Sequence, residues 1–216
     1  MKEKVLIIGP NGAGKGTLLD GFMKGREERY QILSMSGILS NVKYNDPVLG
    51  AQIDKIMKAG ELVPDEIILN LLIKEINGVH DKTVIMDGCI RTLAQAEAIV
   101  HAGLTPDAVV VVHAEDEKIF ERAEDRLVCS KCRKVYTKSN FRPAKVEGIC
   151  DVCGAQLVKR PDDERKKVQK RLNQYKRETI PAIEYLKNNG AIIFTIFNNT
   201  TPDFAQECFT DIVGMF

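Results

Sequence analysis

Short unbroken apolar runs alternate along this chain with longer stretches in which apolar side chains return every three or four positions. The first run, Lys4 to Ile8, is apolar after the lysine and stops at Gly9-Pro10-Asn11-Gly12. A run with no polar alternation predicts a strand buried on both faces. Ala108 to His113, with four consecutive valines, reads the same way. Gln31 to Met35, Thr83 to Met86 and Ala191 to Phe197 complete a set of five strands. Helical spacing covers Lys15 to Lys24, Ser36 to Tyr44, Val48 to Ala59, Pro64 to Ile76, Thr92 to His101 and Asp116 to Leu127. One long helix is predicted from Asp163 to Lys187, and a last one from about Pro202 with Thr201 as its cap. Pro64 suits a first helical position, with the acidic Asp65 and Glu66 beside it at the positive end of the helix dipole.

Alternating strands and helices predict an α/β fold, three layers deep, with helices on both faces of a five-stranded parallel sheet. Two stretches interrupt it: the all-helical segment between the second and third strands, and a cysteine-containing segment without periodicity. Both read as insertions in one core. The core is expected at 1–34, 63–128 and 161–216, with insertions at 35–62 and 129–160.

A chain of 216 residues, 44% hydrophobic and 28% charged, buries roughly 70% of its unfolded surface and needs no staples for its main core. Its net charge of +1 offers no basic field for nucleic acid or a membrane surface, so neither is expected as a partner. No run approaches the roughly 20 apolar residues of a membrane span. The four-residue apolar part of the N-terminus falls short of the roughly 7–15 residues of a secretory core. A cytoplasmic location is therefore expected, and there the six cysteines read as metal ligands or free thiols.

Gly9-Pro10-Asn11-Gly12-Ala13-Gly14-Lys15-Gly16-Thr17 follows a predicted strand and opens a predicted helix, the context that a phosphate-binding P-loop requires. A polyphosphate needs several backbone N–H groups converging on one point, and glycines permit that approach. The helix N-terminus adds its positive dipole end, and Lys15 a mobile charge. Thr17 comes one position later than the usual hydroxyl because Gly16 intervenes. A glycine-rich turn without a ligand is the plain alternative, disfavoured by the coincidence of strand, lysine, hydroxyl and helix.

Cys129 and Cys132 form one C-x2-C pair and Cys150 and Cys153 another, seventeen residues apart. This is zinc-site spacing, and four thiolates close a tetrahedral shell, which points to a structural Zn²⁺, with iron as the other fit. An insertion of about 30 residues cannot hold its own shape by apolar burial, and a metal supplies that stability. Two disulfides or four idle thiols are the alternatives. Cys89 and Cys208 stand outside the pattern and read as small buried hydrophobes. His80, His101 and His113 show no metal spacing.

With these residues in view, the chain resembles the adenylate kinases and related nucleoside monophosphate kinases. The phosphate loop is similar to theirs, as are Asp87-Gly88 with Arg91-Thr92 and Gln95, and Ala59-Gly60 with Leu62-Val63 and Asp65-Glu66. Arg122 and Arg126 before the cysteine segment, Val135-Tyr136 within it, and Arg160 with Asp162-Asp163 and Lys170-Arg171-Leu172 after it also resemble the family. The resemblance covers nearly the whole chain and implies an ATP and NMP phosphotransferase using Mg²⁺, with a monomer as the default expectation. Its 129–160 insertion would be a zinc-stapled lid and its 35–62 insertion an NMP-binding flap.

The resemblance also implies roles. Gly12, Ala13, Gly14, Lys15, Gly16 and Thr17 would hold the ATP phosphates. Arg122, Arg126, Arg160 and Arg171 would spread charge around the transferring group. Arg91 would hold the acceptor phosphate, Asp87 would organise the waters around Mg²⁺, and Asp162 and Asp163 would position arginines. Gln95 would bind the acceptor base, with Leu62, Val63 and Gly88 beside it. The i, i+4 spacing of Arg122 and Arg126 places both on one helix face, where plain surface charge is the alternative.

The family's usual threonine, aspartate and arginine in the acceptor flap are here Met35, Gly37 and Ser40. One lost charge-assisted bond to a phosphate is worth roughly 1.5–3 kcal/mol, or about 10- to 150-fold in affinity. Lys43, near Ser40 on one helix face, would substitute as a point charge or serve only as an exposed lysine. AMP is the expected acceptor. A pyrimidine or deoxy monophosphate, or a nucleotide-binding regulator with little transfer activity, are the alternatives. Tyr136 and Phe141 would pack on the metal knot or stack on the donor base.

Overall fold

The computed structural model describes residues 3–58, 63–139, 141–199 and 202–216. Leu62 and Thr201, given roles above, lie outside them. A central parallel sheet is built from β1 (Lys4–Ile8), β2 (Tyr30–Ser34), β3 (Thr83–Asp87), β4 (Ala108–His113) and a last strand, Ile192–Phe197, in the order β2-β3-β1-β4 and then that last strand. In β1, Val5 and Ile7 face one apolar layer while Leu6 and Ile8 face the other. That two-sided burial is why the strand shows no polar alternation.

Helices α1 (Lys15–Met23) and α6 (Asp116–Asp125) pack on one face, with α9 (Pro202–Gly214). Helices α2 (Met35–Asn45), α3 (Pro47–Lys58), α4 (Asp65–Gly78) and α5 (Leu93–His101) pack on the other. Ser34 caps α2 by accepting the Gly37 amide at 3.1 Å, and Thr92 caps α5 by accepting the Gln95 amide at 3.2 Å. Pro64 precedes α4 instead of opening it. Among the described residues no helix is long and apolar enough to cross a membrane.

Two expectations are corrected. The helix predicted to Leu127 ends at Asp125, and Arg126–Cys129 forms a strand, β5. Leu127 and Val128 find partners in the antiparallel strand β6 (Val135–Thr137), and β7 (Leu157–Val158) pairs on the other side. Strands of two to four residues are too short to print a pattern, so the segment reads as patternless. The predicted long helix is also interrupted. It comprises α7 (Arg165–Gln174), a widened turn at Tyr175–Thr179, and α8 (Ile180–Asn188). Pro181 lacks the N–H that a regular helix needs there, and the Ile180 amide reaches back five residues to the Tyr175 carbonyl. Val168 and Leu172 of α7 belong to one core layer and Ala182 and Leu186 of α8 to the other, so the helix passes between layers across this turn. The final core strand, Ile192–Phe197, is β8.

Candidate active site

The carboxyl ends of β1 and β3 open onto a cavity of about 2010 Å³. That is about twice the upper size of a site for one small molecule. In open parallel sheets, this end of the strands is where ligands bind. The floor of the cavity is the loop from β1 to α1. Gly9 passes so near β4 that a Cβ would lie 2.3 Å from the Val112 carbonyl oxygen. Gly14 enters α1 with φ 99°, a left-handed conformation that glycine adopts without strain. Gly12, Gly14, Lys15, Gly16 and Thr17 line the cavity, whereas Ala13 is fully buried.

Lys15 Nζ donates to the carbonyls of Gly9 at 2.7 Å and Pro10 at 3.0 Å. Burial pushes its pKa down to about 8, against the attraction of Asp87 and helped by Arg91 and Arg126. Asp87 ends β3; burial pushes its carboxyl up, with Lys15 and Arg91 pulling the other way. Arg122 reaches the loop from α6. Its Nη1 donates to Gly12 O at 3.4 Å and Ala13 O at 3.3 Å, and its Nη2 to Asn198 O at 2.6 Å.

Arg91, Arg126, Arg160 and Arg171 line the same cavity. Arg126 stands on β5, so it and Arg122 do not share a helix face; they approach from different elements. Asp163, 2% exposed, accepts from Arg126 Nε at 2.8 Å and also from its Nη2. Asp162 accepts from Arg160 Nη2 at 3.2 Å and Arg171 Nη2 at 3.0 Å. Burial alone would raise the Asp162 carboxyl, but Arg171 and Arg160 overcome that and hold it below its ordinary range. Burial lowers the pKa of Arg91 and Arg160, and neighbouring guanidiniums lower them further, chiefly Arg171 for Arg91 and Arg126 for Arg160. Guanidiniums stay charged regardless, so this crowding is relieved by a polyanion.

At the other end, Met35, Val63, Gly88 and Gln95 line the cavity. Gln95 is tied at both ends of its amide: Oε1 accepts the Arg91 N–H at 2.7 Å and Nε2 donates to Asp65 Oδ1 at 2.6 Å. Asp65 Oδ2 also accepts from Thr92 Oγ1 at 3.3 Å. Thr179, in the widened turn, donates its hydroxyl to Arg91 O at 2.8 Å. Asp65, Thr179 and Asn198 are functional candidates that no sequence spacing revealed, because their partners lie 27 to 185 residues away.

Ser40 lies off the cavity wall and donates its hydroxyl to Ser36 O at 2.7 Å. Lys43 is engaged by Asp54. The α2 wall of the cavity, Met35, Ser36 and Leu39, carries no charge. Cys89 also faces the cavity; its thiol donates to Leu33 O at 3.2 Å, and burial pushes its pKa up to about 12. Cys208 packs against the core layer of α9.

The sulfurs of Cys129, Cys132, Cys150 and Cys153 all lie within 4.8 Å of one another. Cys129 and Cys153 sulfurs are 3.4 Å apart, and those of Cys132 and Cys150 are 3.5 Å apart. A disulfide needs about 2.05 Å, whereas thiolates around a tetrahedral metal at about 2.3 Å sit nearly 4 Å apart. The donor set and its spacing fit a metal ion. The amides of Lys131 and Cys132 each point at Cys129 Sγ from 3.4 Å. Tyr136 is buried against this knot, its hydroxyl 3.4 Å from Cys150 Sγ and accepting the Asp151 N–H at 2.9 Å. Phe141 is instead exposed on the cavity wall.

A family model described as adenylate kinase matches residues 7–191. The chain is 36% identical over 209 residues to the adenylate kinase of Caldicellulosiruptor saccharolyticus, spanning 94% of this chain and 96% of that one. It is 33% identical over 214 residues to that of Mesoplasma florum, spanning 97% and 98%. It is 36% identical over 220 residues to that of Fervidobacterium nodosum, spanning 98% of each.

Proposed function

The chain belongs to the adenylate kinase family, and we propose that it moves the γ-phosphoryl group of Mg-ATP to a nucleoside monophosphate, AMP foremost, giving two ADP. The observation that carries this reading is the convergence of Lys15, Arg91, Arg126, Arg160 and Arg171 on one cavity wide enough for two nucleotides. Phosphoryl transfer asks a protein for alignment and charge stabilisation more than for covalent chemistry. A ring of fixed cations beside a glycine-lined loop supplies both.

In this reading the amides of Gly12 to Thr17 and Lys15 grip the ATP phosphates, and Arg91 grips the acceptor phosphate. An acceptor oxygen bonds to the γ-phosphorus as the bond to the β–γ bridging oxygen breaks, and that electron pair leaves with ADP. Arg126, Arg160 and Arg171 face the charge spread over the equatorial oxygens, held in place by Asp163 and Asp162. Arg122 steadies the loop beneath. Gln95, Val63 and Gly88 frame the acceptor base. Mg²⁺ bound with ATP would neutralise its phosphate oxygens; of the oxygen donors lining the cavity, Asp87, through water, and the Thr17 hydroxyl would hold it.

The same reading makes 35–62 and 129–160 the moving parts that exclude water. Val135, Thr137, Ser139, Phe141 and Arg142 of the second segment already form cavity wall, and Arg142 reaches Asp20 of α1 at 3.0 Å. Zn²⁺ is the proposed metal of the four cysteines, with a structural role, and the enzyme is proposed to act as a cytoplasmic monomer. A second acceptor is favoured by one observation: the α2 wall is uncharged and Lys43 is held by Asp54, so a nucleotide other than AMP would meet little there to reject it.

Label tracing tests the reading. Incubation of AMP with ATP labelled at the γ-phosphorus should place the label at the β-position of new ADP. Label released as inorganic phosphate, with none in ADP, would overturn it.

A further inference from the structure

We propose that Asn198 is a positioning residue of the phosphate loop: it holds the Ala13 carbonyl turned back so that the Gly14 N–H faces the cavity. The inference rests on the reading of this loop as a polyphosphate cradle. Asn198 follows β8 and is 6% exposed. The atom it presents to Ala13 O lies 2.6 Å away. A carbonyl only accepts, so that atom is the amide nitrogen. Arg122 adds donors to the same carbonyl and to Gly12 O, and locks Asn198 itself through its carbonyl at 2.6 Å.

The consequence is geometric. A trans peptide points its N–H opposite to its C=O. With Ala13 O pinned toward Asn198, the N–H of Gly14 is aimed away from Asn198; Gly14 lines the cavity, as Asn198 itself does, whereas Ala13 is buried. A side chain at Gly14 would be strained by its φ of 99°, and its Cβ, 2.3 Å from Asn198 Nδ2, would push the Asn198 amide off Ala13 O. In a buried setting one such bond fixes an orientation that water would otherwise scramble.

The test measures binding by calorimetry of Mg-ATP, inorganic tripolyphosphate and AMP to the full chain and to Asn198→Ala, Asn198→Asp and Asn198→Ser. Asn198→Ala should weaken ATP and tripolyphosphate by the same factor, about 3- to 10-fold, and leave AMP unchanged. Asn198→Asp should weaken both phosphates further, because a carboxylate oxygen then faces the carbonyl. Asn198→Ser keeps a donor and should recover part of the loss. Should Asn198→Ala fold poorly, the Asn198→Ser and Asn198→Asp pair carries the comparison. Weakened ATP with unchanged tripolyphosphate would mean contact with the base and would overturn the proposal. So would a parallel loss for AMP, or wild-type affinity in Asn198→Asp. A wild-type protein that binds tripolyphosphate but transfers no phosphate would contradict the proposed reaction and leave this inference standing.

Discussion

Lys15 offers the sharpest quantitative test, because its burial makes nucleotide binding depend on pH. Its pKa falls from an ordinary 10.5 to about 8. At about 1.36 kcal/mol per pH unit, that gap represents roughly 3 kcal/mol against the charged ammonium, the net of lost solvation, attraction by Asp87 and repulsion by Arg91 and Arg126. Between those values the unfolded chain holds a proton that the folded chain has released. This lysine's contribution therefore makes the free protein more stable as pH rises from about 8 to 10.5. A polyphosphate reverses the balance, since an opposite charge restores the ammonium. Binding of Mg-ATP above pH 8 must then take up a proton. At pH 9 the free lysine is about one-tenth protonated and the bound one nearly fully, so uptake approaches about 0.9 proton per ATP. ATP's own last ionisation, near pH 6, lies below this window. Calorimetry at pH 9 in buffers of differing ionisation enthalpy reads the uptake directly. The logarithm of the affinity should be flat near pH 7 and fall with a slope approaching −1 above 8. Lys15→Arg, which cannot deprotonate, should bind with a flat profile. Proton release, or a wild-type affinity unchanged from pH 7 to 10, would refute the reasoning.

Asp163→Ala strands Arg126 beside a carboxylate position that is 1% exposed, and should cost about 3 kcal/mol in denaturant unfolding while lowering kcat more than either KM. Cys150→Ser should lower the metal content and the melting temperature of the purified protein together; unchanged metal stoichiometry would refute the four-cysteine site. Asp65→Ala frees the Gln95 amide and should raise the KM for the acceptor about tenfold with the KM for ATP unchanged, and Asp65→Asn should recover much of it.

What was legible in the sequence was chemistry carried by neighbours in the chain. The phosphate loop declared itself because strand, glycines, lysine and helix adjoin, and the cysteine pairs because their spacing alone fits a metal shell. β1 and β4 were legible because burial on both faces leaves few polar positions, whereas β2, with Gln31 and Ser34, and β8, with Thr195 and an exposed Ile192 and Phe197, print that pattern less plainly. The arginines illustrate the limit. Arg122 and Arg126 have helical spacing, but Leu127 and Val128 pair with Val135 and Tyr136, and that pairing pulls Arg126 onto a strand. The widened turn before Pro181 was hidden by good helix formers on both sides. Asn198 and Thr179 left no trace, and Asp65 showed only as an acidic residue opening a helix, since each acts on a backbone or amide group that only the fold brings near. Ser40 stands where the family has a phosphate arginine, and Lys43 reads either as its substitute charge or as an exposed lysine. The structure sets Ser40 off the cavity wall and ties Lys43 to Asp54, a contact eleven residues away that spacing does not reveal.

The most direct test of the central claim is a coupled phosphotransfer assay with Mg-ATP and a panel of AMP, CMP, UMP, GMP, dAMP and dTMP, read as kcat/KM for each. The account predicts rapid turnover with AMP, at a kcat/KM no lower than that of any other acceptor, with measurable transfer to others across the uncharged α2 wall. Failure of every acceptor while ATP still binds would contradict it and leave a nucleotide-binding protein without transfer.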